Sequence, residues 1–316
     1  MFVHDSPDWA DLLQIVAQSF DRDLGMVEKD YWVTHTLWAI HTQGFELWFK
    51  GGTSLSKGFG LIQRFSEDID ARIDAGRSGL SDPKLSWSNM KAGVTERDLW
   101  FGALSEALSV PSCAVTRDPA GSEPRMRSAW LTVHYPALHT HTLPEDMRPF
   151  VLLEVGRARV VPFVLRDLSS WVHDYLSQID ALGDFINNRP QAVRCIHPWV
   201  TCLEKLEAIA RKFERGHPAA DFVRHYEDAA RILVAWENLA PPDLDLPTLL
   251  GALATDDNKT MPAASHPAFD VELGTPRWQE LERAWVRIGP MFWGPRMDLP
   301  TACTIIRAFF ARVAAS

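Results

Sequence analysis

Apolar positions along the chain switch between two periods, and the switches mark out its elements. Trp9, Leu12, Leu13, Val16 and Phe20 recur at helical spacing behind Ser6-Pro7, a capping residue followed by a proline suited to a first turn. They predict a helix ending near Phe20. A second helix is expected over about 26–41, with Val27, Tyr31 and Trp38 on one stripe and Glu28, Lys29 and Asp30 near its start. Phe45-Glu46-Leu47-Trp48-Phe49 then alternates with period two and stops at Gly51-Gly52, as a strand entering a tight turn does. Residues 53–63 suit a short helix and 65–73 a second strand. The stretch 75–93, rich in Gly, Ser, Asp and Lys, reads as a surface connection, and 96–108 as a helix. Residues 129–135 and 150–155 are strands expected to extend the same sheet.

Beyond about Pro162 the period-two signal fades. Residues 168–178, 199–214, 224–238, 277–288 and 301–313 carry helical spacing, and 240–243 and 255–275 read as loops among them. The pattern predicts an α+β protein of two domains, one with the sheet over 1–165 and a mainly helical one over 166–316, near the usual size of about 150 residues each.

Composition narrows the class without naming it. The chain has 46% hydrophobic and 23% charged residues, ordinary for a globular protein, and lacks any run of the roughly 18 apolar residues a membrane span needs. Its start lacks the basic and apolar regions of a signal peptide, so a cytoplasmic protein with no membrane partner is expected. Four cysteines without a C-x-x-C pair indicate neither a disulfide framework nor a cysteine zinc site. A net charge of -9 argues against non-specific coating of nucleic acid, but leaves room for one basic face.

Two segments carry the candidate chemistry. On a strand, Asp68 and Asp70 point to one side while Ile69 points to the other. With phosphate oxygens they would form the part-hydrated shell that Mg2+, or Mn2+, takes; a bare Asp-x-Asp is more often a pair of solvent-facing acids, and the glycine turn upstream changes that balance. Upstream, Gly51-Gly52 lets main-chain amides approach a phosphate, and the helix opening at Thr53 turns its positive end to the same place. Ser54 and Ser56 add donors and Lys57 a charge. The turn is not a Walker A loop, since no Gly precedes Lys57 and no Ser or Thr follows it. Together the segments point to nucleotidyl transfer from a nucleoside triphosphate.

Glu154 stands in the apolar run from Phe150 to Val155, where a charge is costly unless it is paired or binds a cation. As a third carboxylate on a neighbouring strand it would complete a metal cluster; pairing with Arg157 or Arg159 is the alternative. Further on, Leu206, Ile209 and Phe213 form a core stripe and leave Lys205 and Lys212 on another face, with Lys205 a candidate grip on the triphosphate. Arg224 and Asp228 sit at i and i+4, a spacing that also serves as an ordinary surface pair.

The blocks Glu28-Lys29-Asp30-Tyr31-Trp32, Phe49 through Lys57, Arg64-Phe65-Ser66-Glu67-Asp68-Ile69-Asp70, Thr201 through Leu206, and Arg224-His225-Tyr226 with Asp228 occur in one order across most of the chain. In that order they resemble the AbiEii/AbiGii-type nucleotidyltransferase toxins of the DNA polymerase β-like superfamily. The resemblance implies a nucleotidyltransferase domain with a mixed sheet flanked by helices, joined to a helical C-terminal domain, with the active site in the cleft between them. It implies Asp68 and Asp70 as the metal pair, and Gly52 and Ser54 as the phosphate turn, with Gly51, Thr53, Lys57 and Ser66 about it. Lys205 and Asp228 would be the catalytic contribution of the helical domain.

The same resemblance implies a toxin with a cognate antitoxin, in a toxin–antitoxin or abortive phage-defence system. Its members include enzymes that add nucleotides to the 3′ end of tRNA and so stop translation. Two departures stand out: Ala71-Arg72 follows the acidic strand where the family continues with an apolar residue, and 258–275 matches the common pattern poorly.

Two other functions compete. The leading expectation is Mg2+-dependent transfer to an RNA end, above all the 3′ end of tRNA; the acidic net charge motivates the alternative of a protein acceptor, such as a Ser or Tyr of an antitoxin. A nucleotide-binding module without turnover is the other. An RNA acceptor would need a basic surface, for which Arg157, Arg159, Arg166, Arg211, Lys212 and Arg215 are the candidates.

Overall fold

The computed structural model describes residues 1–66, 68–81, 93–121, 124–144, 147–240, 242–256, 261–270 and 274–315. Glu67, most of the connection expected over 75–93, and parts of the loops expected over 240–243 and 255–275 lie outside the described residues. The chain divides into two compact units, Met1–Gly58 with Ser66–Cys195, and Phe59–Phe65 with Ile196–Ser316.

In the first unit the order is α1 (Trp9–Phe20), α2 (Leu24–Thr42), β1 (Glu46–Lys50), α3 (Gly51–Lys57), β2 (Asp68–Asp74), α4 (Val94–Ala107), β3 (Ala114–Asp118), β4 (Ser128–His134), β5 (Val151–Gly156), β6 (Phe163–Arg166), α5 (Trp171–Gln178) and β7 (Val193–Ile196). One mixed sheet runs β3-β4-β5-β2-β1-β7-β6. β2 is antiparallel to β1 and parallel to β5, and β1 is parallel to β7. Leu47, Phe49, Ile69, Ala71 and Ile73 are buried on one face, which leaves Trp48, Lys50, Asp68, Asp70 and Arg72 half-buried on the other.

α2 departs from the single apolar stripe expected of it, because it is buried almost all round. Its charged residues are satisfied one by one. Glu28 accepts from the Leu138 and His139 N–H groups at 2.8 and 2.9 Å, and Lys29 donates to the Arg148 carbonyl at 2.7 Å. Asp30 takes the Lys57 ammonium at 2.5 Å and the Trp171 N–H at 3.0 Å. A buried charge without such partners would be strongly destabilising. The Glu28 to Trp32 block is therefore a clamp that fixes the loop before β5 and the end of α3.

The second unit holds α6 (Pro198–Glu214), α7 (Arg224–Ala235), α8 (Leu246–Asp256), α9 (Pro276–Arg287) and α10 (Leu299–Ala315). α6 starts as its sequence dictates, with Pro198 in the first turn and the His197 ring accepting from the Trp199 N–H. Leu203, Leu206 and Ile209 of α6, Ala229 and Ile232 of α7 and Ile306 of α10 are fully buried. Residues 59–65 belong to this unit through main-chain bonds: Phe65 N–H to Met291 O at 2.7 Å, and Trp293 N–H to Gln63 O at 3.0 Å. No helix among the described residues is long and apolar enough to cross a membrane.

The elements differ from the expected ones in three places. β3, β6 and β7 were not anticipated; β6 and β7 lie in the stretch read as helical, and residue 166 ends β6. β3 and β6 are the two edges of the sheet and neither buries a residue, so they lack apolar alternation, and β7 has only four residues. α8 lies in a region with no expected helix, and α3 ends at Lys57, well before the expected 63.

Candidate active site

Strand register builds a polar row across the first unit. Lys50 of β1 faces Asp70 of β2, Asp70 faces Glu154 of β5, and Glu154 faces Trp130 of β4. Asp68 stands two residues along from Asp70 on the same face, 3.7 Å from the Arg148 guanidinium, which itself lies over the Trp130 ring. The Ser128 hydroxyl and the Trp130 indole donate to the Glu154 carboxylate. Burial, and next the Asp70 charge, push the Glu154 carboxyl up from its ordinary range, while Lys50, Ser128 and Trp130 act the other way.

The glycine turn is fitted to Asp70. Gly51 has a φ of +79°, and a Cβ there would stand 2.0 Å from Asp70 Oδ2. Only a residue without a side chain lets that carboxylate lie against the turn. The first N–H groups of α3 have no partner within the helix, so the main chain at Gly51, Gly52 and Thr53 is the donor set of this corner.

The side chains expected around a phosphate have other engagements. The Thr53 hydroxyl lies 2.9 Å from the Ser66 carbonyl and 2.6 Å from the Asp68 carbonyl, bonds that tie α3 to the start of β2. Ser54 is buried with its hydroxyl beside the Cys195 thiol. Lys57 is held in the buried pair with Asp30 and donates to Ser169 O at 2.8 Å.

Among the described residues no three His, Cys, Asp or Glu side chains converge on one ion position. Mg2+ does not need such a cage, since it takes one or two carboxylates and completes its shell with water and phosphate oxygens. Asp68 and Asp70, oxygen donors on one face of β2, fit that demand.

In the second unit, Lys205 and Asp228 are brought together. Asp228 Oδ2 lies 2.8 Å from the Lys205 ammonium, and both carboxylate oxygens accept from Arg64, at 2.8 and 2.7 Å. All three side chains are buried. Burial pushes the Asp228 carboxyl up, but Arg64 and Lys205 more than offset this and hold it well below the carboxylate range. Burial lowers Lys205, with Arg64 adding to that and Asp228 opposing it. His225 lies 3.3 Å from the same ammonium and is driven well below its ordinary value, first by burial and next by Lys205. Arg224 is not the partner of Asp228 that the i, i+4 spacing suggested.

Sequence reasoning passed over Lys50, Ser128, Trp130 and Arg64 as site residues. Lys50 and Arg64 lay inside the quoted blocks, where charge alone could have raised them. Ser128 and Trp130 become visible only through the β4–β5 register.

The family model described as nucleotidyl transferase AbiEii toxin, type IV toxin–antitoxin system, matches residues 37–303. Among solved structures, MenT4, a nucleotidyltransferase toxin from Mycobacterium tuberculosis H37Rv, is similar at 16% identity with a TM-score of 0.49, over 96% of this chain and 90% of that one. JHP933 from Helicobacter pylori is similar at 11% identity with a TM-score of 0.32, over 92% of this chain and 95% of that one. No curated protein sequence matches the chain.

Proposed function

The chain belongs to the AbiEii family of nucleotidyl transferase toxins of type IV toxin–antitoxin systems, and we propose that it transfers a nucleotide from a nucleoside triphosphate to the 3′ end of an RNA, above all tRNA, and so blocks translation. A toxin of such a system has an antitoxin as its partner. The observation that supports the site is the row Lys50, Asp70 and Glu154, with Asp70 seated against the main chain of Gly51.

In the transfer, the acceptor hydroxyl oxygen bonds to the α-phosphorus, the bond from that phosphorus to the bridging oxygen breaks, and pyrophosphate leaves. The hydroxyl proton passes to Glu154, the carboxylate whose proton affinity burial and Asp70 raise. The Gly51-Gly52 main chain and the Lys50 ammonium bind phosphate oxygens. Asp68 and Asp70 would hold Mg2+, or Mn2+, which would supply positive charge against the phosphates. Within the second unit, Asp228 fixes the position of the Lys205 ammonium. Thr53, Ser54, Lys57 and Ser66 keep the turn in shape.

Incubation of the purified protein with each of four labelled nucleoside triphosphates and total tRNA tests this. Label is expected on tRNA with the native chain and not with Asp70→Ala. No transfer of any nucleotide, or full transfer by Asp70→Ala, overturns it.

A further inference from the structure

A file of planar side chains crosses the polar face of the first unit beside the polar row. The Arg72 guanidinium lies over the Trp48 ring, 5.5 Å from its centroid; Arg194 lies over the same ring at 5.0 Å and over Phe163 at 6.0 Å. Register produces the file, since Trp48 faces Arg72 across the β1–β2 pair and Arg194 across the β1–β7 pair. Trp48 and Arg72 are each two residues from a member of the polar row, Lys50 and Asp70 respectively, a step of about 7 Å along a strand. At its outer end the file meets a cavity of about 910 Å3 whose lining includes Phe163, Arg194, Glu46, Arg77 and Leu165. Phe163 and Leu165 are exposed there.

We propose that this file and cavity bind the unpaired end of the acceptor, a single-stranded RNA whose bases stack on Phe163 and on the guanidinium plane of Arg194, which the Trp48 ring beneath it holds in place. The role of the site as an acceptor site rests on nucleotidyl transfer at the neighbouring row. Aromatic rings and guanidinium planes are the surfaces on which unstacked bases settle, whatever their sequence. The charge balance favours bases over phosphates as the feature gripped. Arg72 is paired with Asp74 at 3.0 and 2.7 Å, and Arg194 with Glu46 at 3.4 Å, so the file itself carries little net charge. This also reconciles an RNA acceptor with a chain of net charge -9, and it leaves little to attract an acidic peptide.

The test is equilibrium binding of a fluorescent, unstructured RNA of about twelve nucleotides, a length within the range of single-strand sites, to the full chain without triphosphate. Trp48→Ala, Phe163→Ala and Arg194→Ala are each expected to weaken binding about tenfold, and Trp48→Phe, which keeps a ring and the fold, to weaken it far less. An abasic strand of equal length and charge is expected to bind at least tenfold more weakly than the normal strand, and affinity to fall only shallowly with salt. Unchanged binding in the three alanine variants, equal binding of the abasic strand, a steep salt dependence, or displacement of RNA by an acidic or apolar peptide overturns the site. The readout involves no turnover, so its failure is separate from failure of the transfer assay. RNA bound through these residues by a chain that transfers no label sinks the transfer reading alone.

Discussion

Arg64 and Asp228 are joined by two parallel hydrogen bonds, Nε to Oδ1 at 2.8 Å and Nη2 to Oδ2 at 2.7 Å, across 164 residues of sequence. A fork-on-carboxylate pair of this kind has both geometric and electrostatic strength. The same carboxylate takes the Lys205 ammonium at 2.8 Å, so one buried anion holds two buried cations. Asp228 is thus the hub of the second unit: it anchors the segment that leads into β2 and fixes the position of Lys205.

Asp228→Asn removes the charge that the buried Arg64 and Lys205 share. A loss of about 3–5 kcal/mol is expected, the size found when one member of a buried ionic network is removed. Urea unfolding measures it, and a loss below about 1 kcal/mol would sink the hub. The folded carboxyl titrates below its unfolded value of 3.8, so its contribution is complete at neutral pH and declines only as acid takes the pH below that value.

Gly51→Ala meets two obstacles, a φ of +79° and a Cβ 2.0 Å from Asp70 Oδ2. The left-handed backbone alone costs about 1–2 kcal/mol, and Asp70 must also move. Transfer activity is expected to fall at least about 100-fold, as displacement of a reacting-site group by about 1 Å does. Gly60→Ala supplies the contrast, since its φ is +63° but nothing stands within 4 Å of the added Cβ. It should show the backbone cost with transfer kept. Equal activity loss in both variants would sever Gly51 from Asp70.

A buried polar network in the first unit sets an acid limit. The Asn188 amide donates to Tyr31 O at 3.0 Å and to His35 Nδ1 at 2.8 Å, and its oxygen accepts from His173 Nε2 at 2.7 Å. Burial above all lowers both imidazoles from 6.5 to about 4. Between those values the unfolded chain binds more protons, so stability is full above about pH 6.5 and falls as the pH drops toward 4. Each imidazole contributes a slope of up to about 1.4 kcal/mol per pH unit. Unfolding free energies at pH 7.5, 6 and 5 should trace this slope, and His173→Gln should reduce it. A profile flat from 7.5 to 5 would count against it.

What the sequence disclosed follows from how local each signal is. β1 and β2 announce themselves because period-two alternation meets Gly51-Gly52 and Asp68-x-Asp70 within a short span, and the adjacency of Asp70 and Glu154 follows from strand order. The engagements of Lys57 and Thr53 were not legible. Asp30, Ser169 and the Ser66 carbonyl are partners that only the fold brings near. Trp48 could be placed on a strand but not between two guanidiniums, because Arg194 arrives from β7, one of the strands too short to carry a pattern. The clamp on α2 was hidden for a related reason, since three consecutive charged residues look like a solvated helix start until their buried partners are known.

Glu154→Gln separates the chemical role of that carboxylate from its structural one. The amide keeps an oxygen for the Ser128 hydroxyl and Trp130 indole but removes the charge that burial and Asp70 oppose. Because the folded carboxyl is raised above its unfolded value of 4.5, the native chain loses stability as the pH rises from there through the folded value. The Gln variant should lose that decline and unfold no more easily at pH 7.5 than the native chain. Its transfer rate should nonetheless fall about 100-fold or more, within the range of about 10²–10⁴ that a general base contributes. A stable variant with native transfer rates would remove Glu154 from the reaction, whereas a variant destabilised by more than about 1 kcal/mol would show that the carboxylate serves the fold.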